Sequence, residues 1–179
     1  MEQTRTIFLS PSVQQFNVGY GDYGTEEYRM NRITDYVENL LKQEGYTVYR
    51  NDKEDTLKQV VQKSNDVNPA IHVSIHSNAS GSPGAQGRGP EIYVRTKGSN
   101  ADKLAGFIYD NLLDIYPDKS LGKGVKYTTN LYELNKTRAP AVLIEVAFHD
   151  NKEDAAWIMQ NEENIAKAIV KGINEYFNS

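Results

Sequence analysis

Short runs of apolar and β-branched residues alternate along this chain with longer stretches in which apolar residues recur every three or four positions. The short runs are typical of buried strands, and the longer stretches are typical of amphipathic helices. The first strand is predicted at residues 6–9 and is expected to stop at residues 10–12, because Pro11 cannot donate to a strand ladder. The other predicted strands cover residues 47–50, 71–77, 91–95, 124–127 and 141–148.

The first predicted helix has clear signals at both ends. Thr25 is a typical N-cap, Glu26 and Glu27 place carboxylates in the first turn, and Gly45 ends the helix. The apolar positions between these ends are Met30, Ile33, Val37, Leu40 and Leu41. Further helices are predicted from Leu57 to just before Asn68, over residues 101–116, and over residues 152–177 with a break near Asn161.

This alternation of strands and helices predicts an α/β fold. We expect one domain over residues 1–179, with a mostly parallel, twisted sheet of about six strands and helices on both faces. The sequence contains no internal repeat, linker or low-complexity segment. No separate wall-binding domain is therefore expected within it.

Composition narrows the function classes. A net charge of −4 without basic blocks argues against a nucleic-acid partner, and the absence of cysteine excludes thiolate catalysis and thiolate metal ligands. No apolar run is long enough to span a bilayer, and the polar residues 1–5 lack a signal-peptide core. We expect a monomer with no membrane partner. Work outside the cytoplasm would require release by some other route.

Polar residues gather where the predicted strands end, which is where ligands bind in such sheets. His72, Ser74 and His76 share one face of the third strand, because strand side chains alternate with a period of two. His72 lies deeper and is expected to be structural. His76 lies at the end of the strand and is a candidate for a cleft, although a single strand histidine is about equally often a structural group.

Glu145 interrupts the most apolar run of the chain. A buried carboxylate is costly unless it binds a metal or pairs with a cation, so Glu145 is expected to be functional or to pair with a residue such as Arg138. Burial would raise the pKa of Glu145 and suit it to general acid–base work near neutral pH.

Helical geometry separates the two glutamates of the first turn. Glu26 projects along the apolar stripe toward the body of the protein, whereas Glu27 points to its flank, although both could be no more than helix-terminal charges. His76, Glu26 and Glu145 together supply a nitrogen ligand, an oxygen ligand and a separate base. This set is consistent with a zinc site that contains no cysteine.

Three ordered blocks carry a resemblance to a known family. They are VSIHSNA at residues 73–79, PAVLIEVAFHDN at residues 140–151, and Glu26 with its spacing to Gly45 and the TVYR strand. The chain resembles, over essentially its whole length, the zinc-dependent N-acetylmuramoyl-L-alanine amidases of the type 3 class, found in bacterial autolysins and phage endolysins. The resemblance implies that His76 and Glu26 bind zinc, that Glu145 is the catalytic carboxylate, and that the partner is peptidoglycan.

The sequence departs from the family at the first zinc ligand. The family has a histidine after the first strand, whereas residues 10–17 read SPSVQQFN and contain none. Within the resemblance, SPSxQ looks like a recurring variant of that motif. Gln14 is the nearest replacement through its amide oxygen, with Gln15 or a water molecule as alternatives. Zinc affinity could fall accordingly, since a neutral amide is a weaker ligand than imidazole.

The resemblance implies hydrolysis of the amide bond between N-acetylmuramic acid and L-alanine, with Glu145 moving a proton from water to the leaving amine. Asn78 and Ser77 are expected to shape the cleft wall, and the loop over residues 80–89 to form a groove rim. Arg88 and Arg95 are candidates for stem-peptide carboxylates, although a solvated surface role fits both better.

Two other functions stay open. One is a zinc peptidase acting elsewhere on the stem peptide, and the other is a non-catalytic cell-wall binding module, favoured by the missing histidine. We expect the chain to act at the bacterial cell wall. Without a signal peptide, it would be a phage endolysin, an enzyme freed by lysis, or a domain separated from a longer protein.

Overall fold

Six strands form the centre of the computed structural model, which describes residues 5–81 and 86–179. The strands are β1 Thr6–Pro11, β2 Thr47–Arg50, β3 Ile71–Asn78, β4 Glu91–Val94, β5 Gly124–Tyr127 and β6 Ala141–Phe148. The helices are α1 Glu26–Gln43, α2 Leu57–Val67, α3 Asn100–Ile115, α4 Tyr132–Lys136, α5 Lys152–Gln160 and α6 Glu162–Phe177. None of the helices in these ranges has the length and apolar character needed to cross a membrane.

The strands form one sheet in the order β2-β1-β3-β6-β4-β5. Every neighbouring pair is parallel except β4 and β6, which are antiparallel. The predicted α/β domain with a mostly parallel sheet of six strands is therefore confirmed. The carboxyl ends of β1, β3 and β6 meet at one edge of this sheet.

One face of the sheet is apolar because alternate residues of each strand are apolar. Ile7, Val73, Ile75, Ile144 and Val146 are fully buried there. They belong to the main core, to which α1, α3 and α6 also contribute buried side chains. This burial of aliphatic surface is the main source of the stability of the fold.

The opposite face of the sheet is polar along β3, where it carries His72, Ser74, His76 and Asn78. Helices α2 and α4 cover the deep end of this face, since Ser64 of α2 contacts His72 and Leu134 of α4 packs against β6. Helices thus lie on both faces, as predicted. The polar face remains open at the carboxyl ends of its strands.

The helix ends follow the local signals in the sequence. The Thr25 hydroxyl accepts a hydrogen bond from the Tyr28 amide and begins α1, and Gly45 adopts φ 87° just beyond its end. Asn161 separates α5 from α6, as predicted.

One prediction about the elements was wrong, and one element was missed. Strand β1 continues through Ser10 to Pro11, beyond the predicted stop. The pairing of β1 with β2 ends at Leu9, so the missing amide of Pro11 removes no bond to β2. Helix α4 was not predicted, because five residues are too few to show a helical period.

Candidate active site

The imidazole of His76 and the carboxylate of Glu26 meet at the carboxyl edge of the sheet. His76 Nδ1 lies 2.9 Å from Glu26 Oε1, and the Glu26 side chain is 2% exposed. Glu26 faces the protein interior, as predicted, whereas Glu27 is partly exposed. The Thr25 cap holds the start of α1 at this edge, so the first helical carboxylate reaches the histidine at the end of β3.

The pair is electrostatically matched. Burial alone would lower the pKa of His76, but the carboxylates of Glu26 and Glu145 raise it to about 9. Burial opposes ionisation of Glu26 as well, yet the bonds from His76 and Asn17 hold the pKa of Glu26 below its usual value. Each group therefore favours the charged form of the other, in a site that also suits a bound cation.

Gln14 is tied to Glu26 through a residue that the sequence did not single out. The Asn17 side-chain amide donates to Gln14 Oε1 at 2.6 Å and to Glu26 Oε2 at 2.8 Å. The oxygen of Gln14 is thus oriented beside the carboxylate of Glu26. Gln15 instead donates to the carbonyl of Lys53, which turns its side chain toward a different loop.

Glu145 lies on the neighbouring strand β6, directly opposite His76 in the strand register. Its Oε2 atom is buried, and within the described residues it has no hydrogen-bond partner and forms no ion pair with Arg138. Burial raises the pKa of Glu145 to about 8; the His76 charge opposes this, and the charges of Glu26 and Glu91 add to it. Glu145 is therefore a carboxyl group with acid–base capacity near neutral pH.

Gln14, His76 and Glu145 line a cleft of about 470 Å³. Its lining residues are Val13, Gln14, Leu57, His76, Asn78, Tyr93, Thr128, Leu131, Tyr132, Glu133, Leu143 and Glu145.

The two residues expected to shape the cleft wall lie on different faces of the sheet. Asn78 lines the cleft. Ser77 is 2% exposed and lies on the opposite face, where its hydroxyl bonds Tyr23 Oη at 2.7 Å and His149 Nδ1 at 2.9 Å. Adjacent strand residues point in opposite directions, so the structure does not bring Ser77 to the cleft.

A bulge in β6 shapes the end of the site. Between the pairs His76–Glu145 and Asn78–Phe148, β6 contains one more residue than β3. The extra residue turns Phe148 to the same side as Asn78. The bulge therefore redirects side chains at the open edge of the sheet, while the pairing of β3 with β6 stays regular from His72 to His76.

Sequence reasoning missed Glu133, a buried carboxylate of α4 that lines the cleft. Its Oε1 accepts from the Ser10 hydroxyl and lies 2.8 Å from His72 Nε2, and Ser64 Oγ lies 2.8 Å from His72 Nδ1. Burial opposes ionisation, but His72 and Ser10 hold the pKa of Glu133 at about 2. His72 is thus a structural group, as predicted.

Glu91 of β4 was also missed. It lies opposite Glu145 in the strand register, is 5% exposed, and accepts hydrogen bonds from Asn78 and Tyr93. The only signal in the sequence was a charged residue at the start of an apolar strand, which is also a common surface pattern.

The two arginines considered for substrate carboxylates are placed away from the cleft. Arg88 Nε donates to the buried Asp154. Arg95 and Arg138 line a separate cavity of about 310 Å³ beside the start of β6. Of the predicted groove rim at residues 80–89, residues 82–85 lie outside the described residues.

Few of the side chains that usually bind metal ions lie close together in the described part of the chain. In the described ranges no three His, Asp or Glu side chains converge on one point where a metal ion could bind. The oxygen and nitrogen donors at the carboxyl edge are Glu26, His76 and the amide of Gln14. This donor set has the chemistry of a zinc site, with a neutral amide in place of the third charged or imidazole ligand.

Comparisons with known proteins identify relatives in sequence and in fold. The catalytic domain of CwlV, an N-acetylmuramoyl-L-alanine amidase from Bacillus (Paenibacillus) polymyxa var. colistinus, superposes with a TM-score of 0.81 at 25% identity, covering 97% of this chain and 98% of that one. The germination-specific N-acetylmuramoyl-L-alanine amidase of Bacillus subtilis is 27% identical over 87% of this chain and 65% of its own length.

An uncharacterized protein of Clostridium perfringens is 40% identical over 64% of this chain and 34% of its own length. The chain thus spans less than two thirds of both curated relatives. Residues 14–175 match the Amidase_3 family, described as N-acetylmuramoyl-L-alanine amidase. The chain therefore belongs to the N-acetylmuramoyl-L-alanine amidase family.

Proposed function

We propose that this chain hydrolyses the amide bond between N-acetylmuramic acid and the L-alanine of the stem peptide in bacterial peptidoglycan. The observation that carries the proposal is the buried oxygen of Glu145, which has no hydrogen-bond partner among the described residues and lies beside the His76–Glu26 pair in an open cleft. An idle carboxylate in that position would be costly, whereas a general base there has a function. The chain acts as a single catalytic domain at the cell wall, and as a monomer.

A zinc ion is the cofactor that the donor set fits. His76 and Glu26 would hold it, and Gln14 would add a neutral oxygen oriented by Asn17. The mutual stabilisation of charge between His76 and Glu26 supports a cation at this point, because a metal can replace the proton that joins them. Bound zinc supplies Lewis acidity, which polarises the scissile carbonyl and lowers the pKa of water.

Glu145 moves the proton in this mechanism. It takes a proton from the attacking water as oxygen bonds to the carbonyl carbon, and it delivers that proton to the nitrogen of L-alanine as the carbon–nitrogen bond breaks. Burial raises the pKa of Glu145 to about 8, close enough to neutral for the group both to take up and to return the proton. The products are the free lactyl carboxylic acid on the sugar and a stem peptide with a free amino terminus.

The non-catalytic module remains the second candidate, because no histidine stands where the family has its first ligand. The proposal is tested by measuring zinc per chain and amino-terminal alanine released from purified cell walls, on chelator-stripped and zinc-repleted protein. We expect about one zinc ion per repleted chain and alanine release only after repletion. Absence of both zinc and release would favour the binding module, and release of a carboxyl-terminal amino acid would favour the peptidase.

A further inference from the structure

Glu91 is a buried carboxylate that the proposed mechanism does not use. It lies on β4 opposite Glu145, is 5% exposed and does not line the cleft itself. A carboxylate in such a position needs hydrogen-bond donors to offset its loss of hydration. Within the described residues no lysine, arginine or histidine forms an ion pair with it, so neutral donors provide this compensation.

Both donors belong to the cleft wall. Asn78 Nδ2 donates to Glu91 Oε1 at 2.5 Å, and the Tyr93 hydroxyl donates to the same oxygen at 3.1 Å. Asn78 and Tyr93 line the cleft together with Glu145. Glu91 thus lies behind the cleft lining and contacts two of its polar groups.

Glu91 Oε1 is the acceptor in both hydrogen bonds, and this fixes the polarity of both neighbours. The Asn78 amide must turn its nitrogen to Glu91, and its Oδ1 accepts from the Ala79 amide at 2.9 Å. The Tyr93 hydroxyl must give its single hydrogen to Glu91. Asn78 is left with one N–H to donate, and Tyr93 is left with an oxygen that accepts.

We infer that Glu91 is a positioning residue that sets Asn78 as a donor and Tyr93 as an acceptor for a secondary amide of the substrate. The inference rests on the proposed function. A secondary amide carries one carbonyl to accept from Asn78 and one N–H to donate to Tyr93. Apart from the scissile bond, this group occurs in peptidoglycan in the stem-peptide backbone and in the acetamido group of the sugar, and the two sources share this recognition chemistry.

The direct test is Glu91→Gln, assayed on a soluble muropeptide with bound zinc and thermal unfolding measured on the same samples. Glutamine can donate as well as accept, so the polarity of Asn78 and Tyr93 is no longer imposed. KM is expected to rise about tenfold, with kcat within about threefold of wild type. This is the pattern expected when the lost interaction stabilises the bound substrate and the transition state equally.

The matched control is Glu162→Gln. Glu162 is also a buried carboxylate, and it is held by Arg29 and Arg32 outside the cleft. This control should lower the melting temperature and leave KM unchanged. If Glu91→Gln behaves in the same way, its role is structural and the inference is overturned.

A double-mutant cycle tests whether Glu91 acts through the phenol. Tyr93→Phe alone should raise KM. The fold increase in KM of the double variant should be smaller than the product of the fold increases of the two single variants. Fully multiplicative effects would show that Glu91 does not act through Tyr93.

Two truncated substrates separate the sources of the amide. One lacks the acetyl group of the sugar, and the other carries L-alanine alone, without any peptide bond of the stem. The truncation that abolishes the KM difference between wild type and Glu91→Gln identifies the amide, and a difference that survives both truncations contradicts the inference. If wild type releases no peptide with amino-terminal alanine from the complete muropeptide, the proposed function itself has failed. If wild type cleaves and Glu91→Gln keeps the wild-type KM, only the inference has failed.

Discussion

Glu133 and Glu145 are two carboxylates on the polar side of the sheet, and their surroundings are opposite. At the closed end, Glu133 contacts both Ser10 and His72, and its pKa is held at about 2. At the open end, Glu145 has a buried oxygen without a partner among the described residues, and its pKa is raised to about 8. Both groups line the same cleft.

The difference shows that the hydrogen-bond donors around a buried carboxylate determine its pKa and therefore its role. Helices α2 and α4 close the deep end, and α2 supplies Ser64 to hold the histidine that pairs with Glu133. At the carboxyl edge Glu145 lines the open cleft, and the neighbouring His76 is directed to Glu26. A fully paired carboxylate stabilises the fold, whereas an incompletely paired one remains available to a substrate.

The largest effect is expected from Glu145→Gln. Glutamine keeps the shape but cannot take a proton, so kcat for alanine release should fall by about a thousandfold. The variant should be at least as stable as wild type at neutral pH, because glutamine removes the cost of ionising a buried carboxylate whose pKa is raised to about 8. Steady-state kinetics and chemical denaturation check both values. The exposed Glu153→Gln is the control, and near-normal turnover by Glu145→Gln would show that the proton is moved by another group.

Glu133→Gln should show the reverse pattern. Removing one charge from a buried, hydrogen-bonded pair is expected to lower the free energy of unfolding by about 3 kcal/mol, while kcat measured well below the melting temperature stays within about tenfold. Urea denaturation provides the measurement. A stable but inactive Glu133→Gln would mean that the two carboxylates have been assigned the wrong roles.

The pH dependence of stability sharpens the same contrast. The folded-state pKa of Glu133 is about 2 and its ordinary value is 4.5, so its stabilising contribution is complete above about pH 4.5 and is lost as the pH falls toward 2. The unfolding free energies of wild type and Glu133→Gln should therefore converge over this window. Parallel curves from pH 6 to pH 2 would contradict the assignment.

A smaller effect is expected at the neutral donor of the open end. Gln14→His restores an imidazole beside Glu26 and His76, so zinc affinity should increase by about tenfold or more in competition with a chelator. Gln15→His is the matched control and should leave affinity unchanged, since Gln15 contacts the Lys53 carbonyl instead. Equal gains from both variants would rule out a specific role for Gln14.

The sequence located the parts of the site that have local signals. Glu26 follows a helix cap, His76 ends a strand, and Glu145 interrupts an apolar run, so each could be identified from its neighbours. Glu133 could not, because it lies in a five-residue helix and its partner His72 is 61 positions away. Its role depends on tertiary packing, which no local period records.

The same limit explains the smaller differences. Asn17 lies in an irregular loop, and its two acceptors become neighbours only after folding. Ser77 was placed at the cleft because of its motif, although the strand period of two turns it to the core. Helix caps and most element bounds were predictable, since they depend on contacts within a few residues.

The most direct test of the proposed function is to find which bond takes up oxygen from water. A defined N-acetylmuramoyl peptide would be cleaved in ¹⁸O-labelled water and its products analysed by mass spectrometry. The account predicts one ¹⁸O atom in the lactyl carboxylate of the sugar and none in the peptide, whose amino terminus is L-alanine. Label in a peptide carboxylate would identify a peptidase, and an intact substrate with zinc-repleted protein would contradict catalysis by this chain.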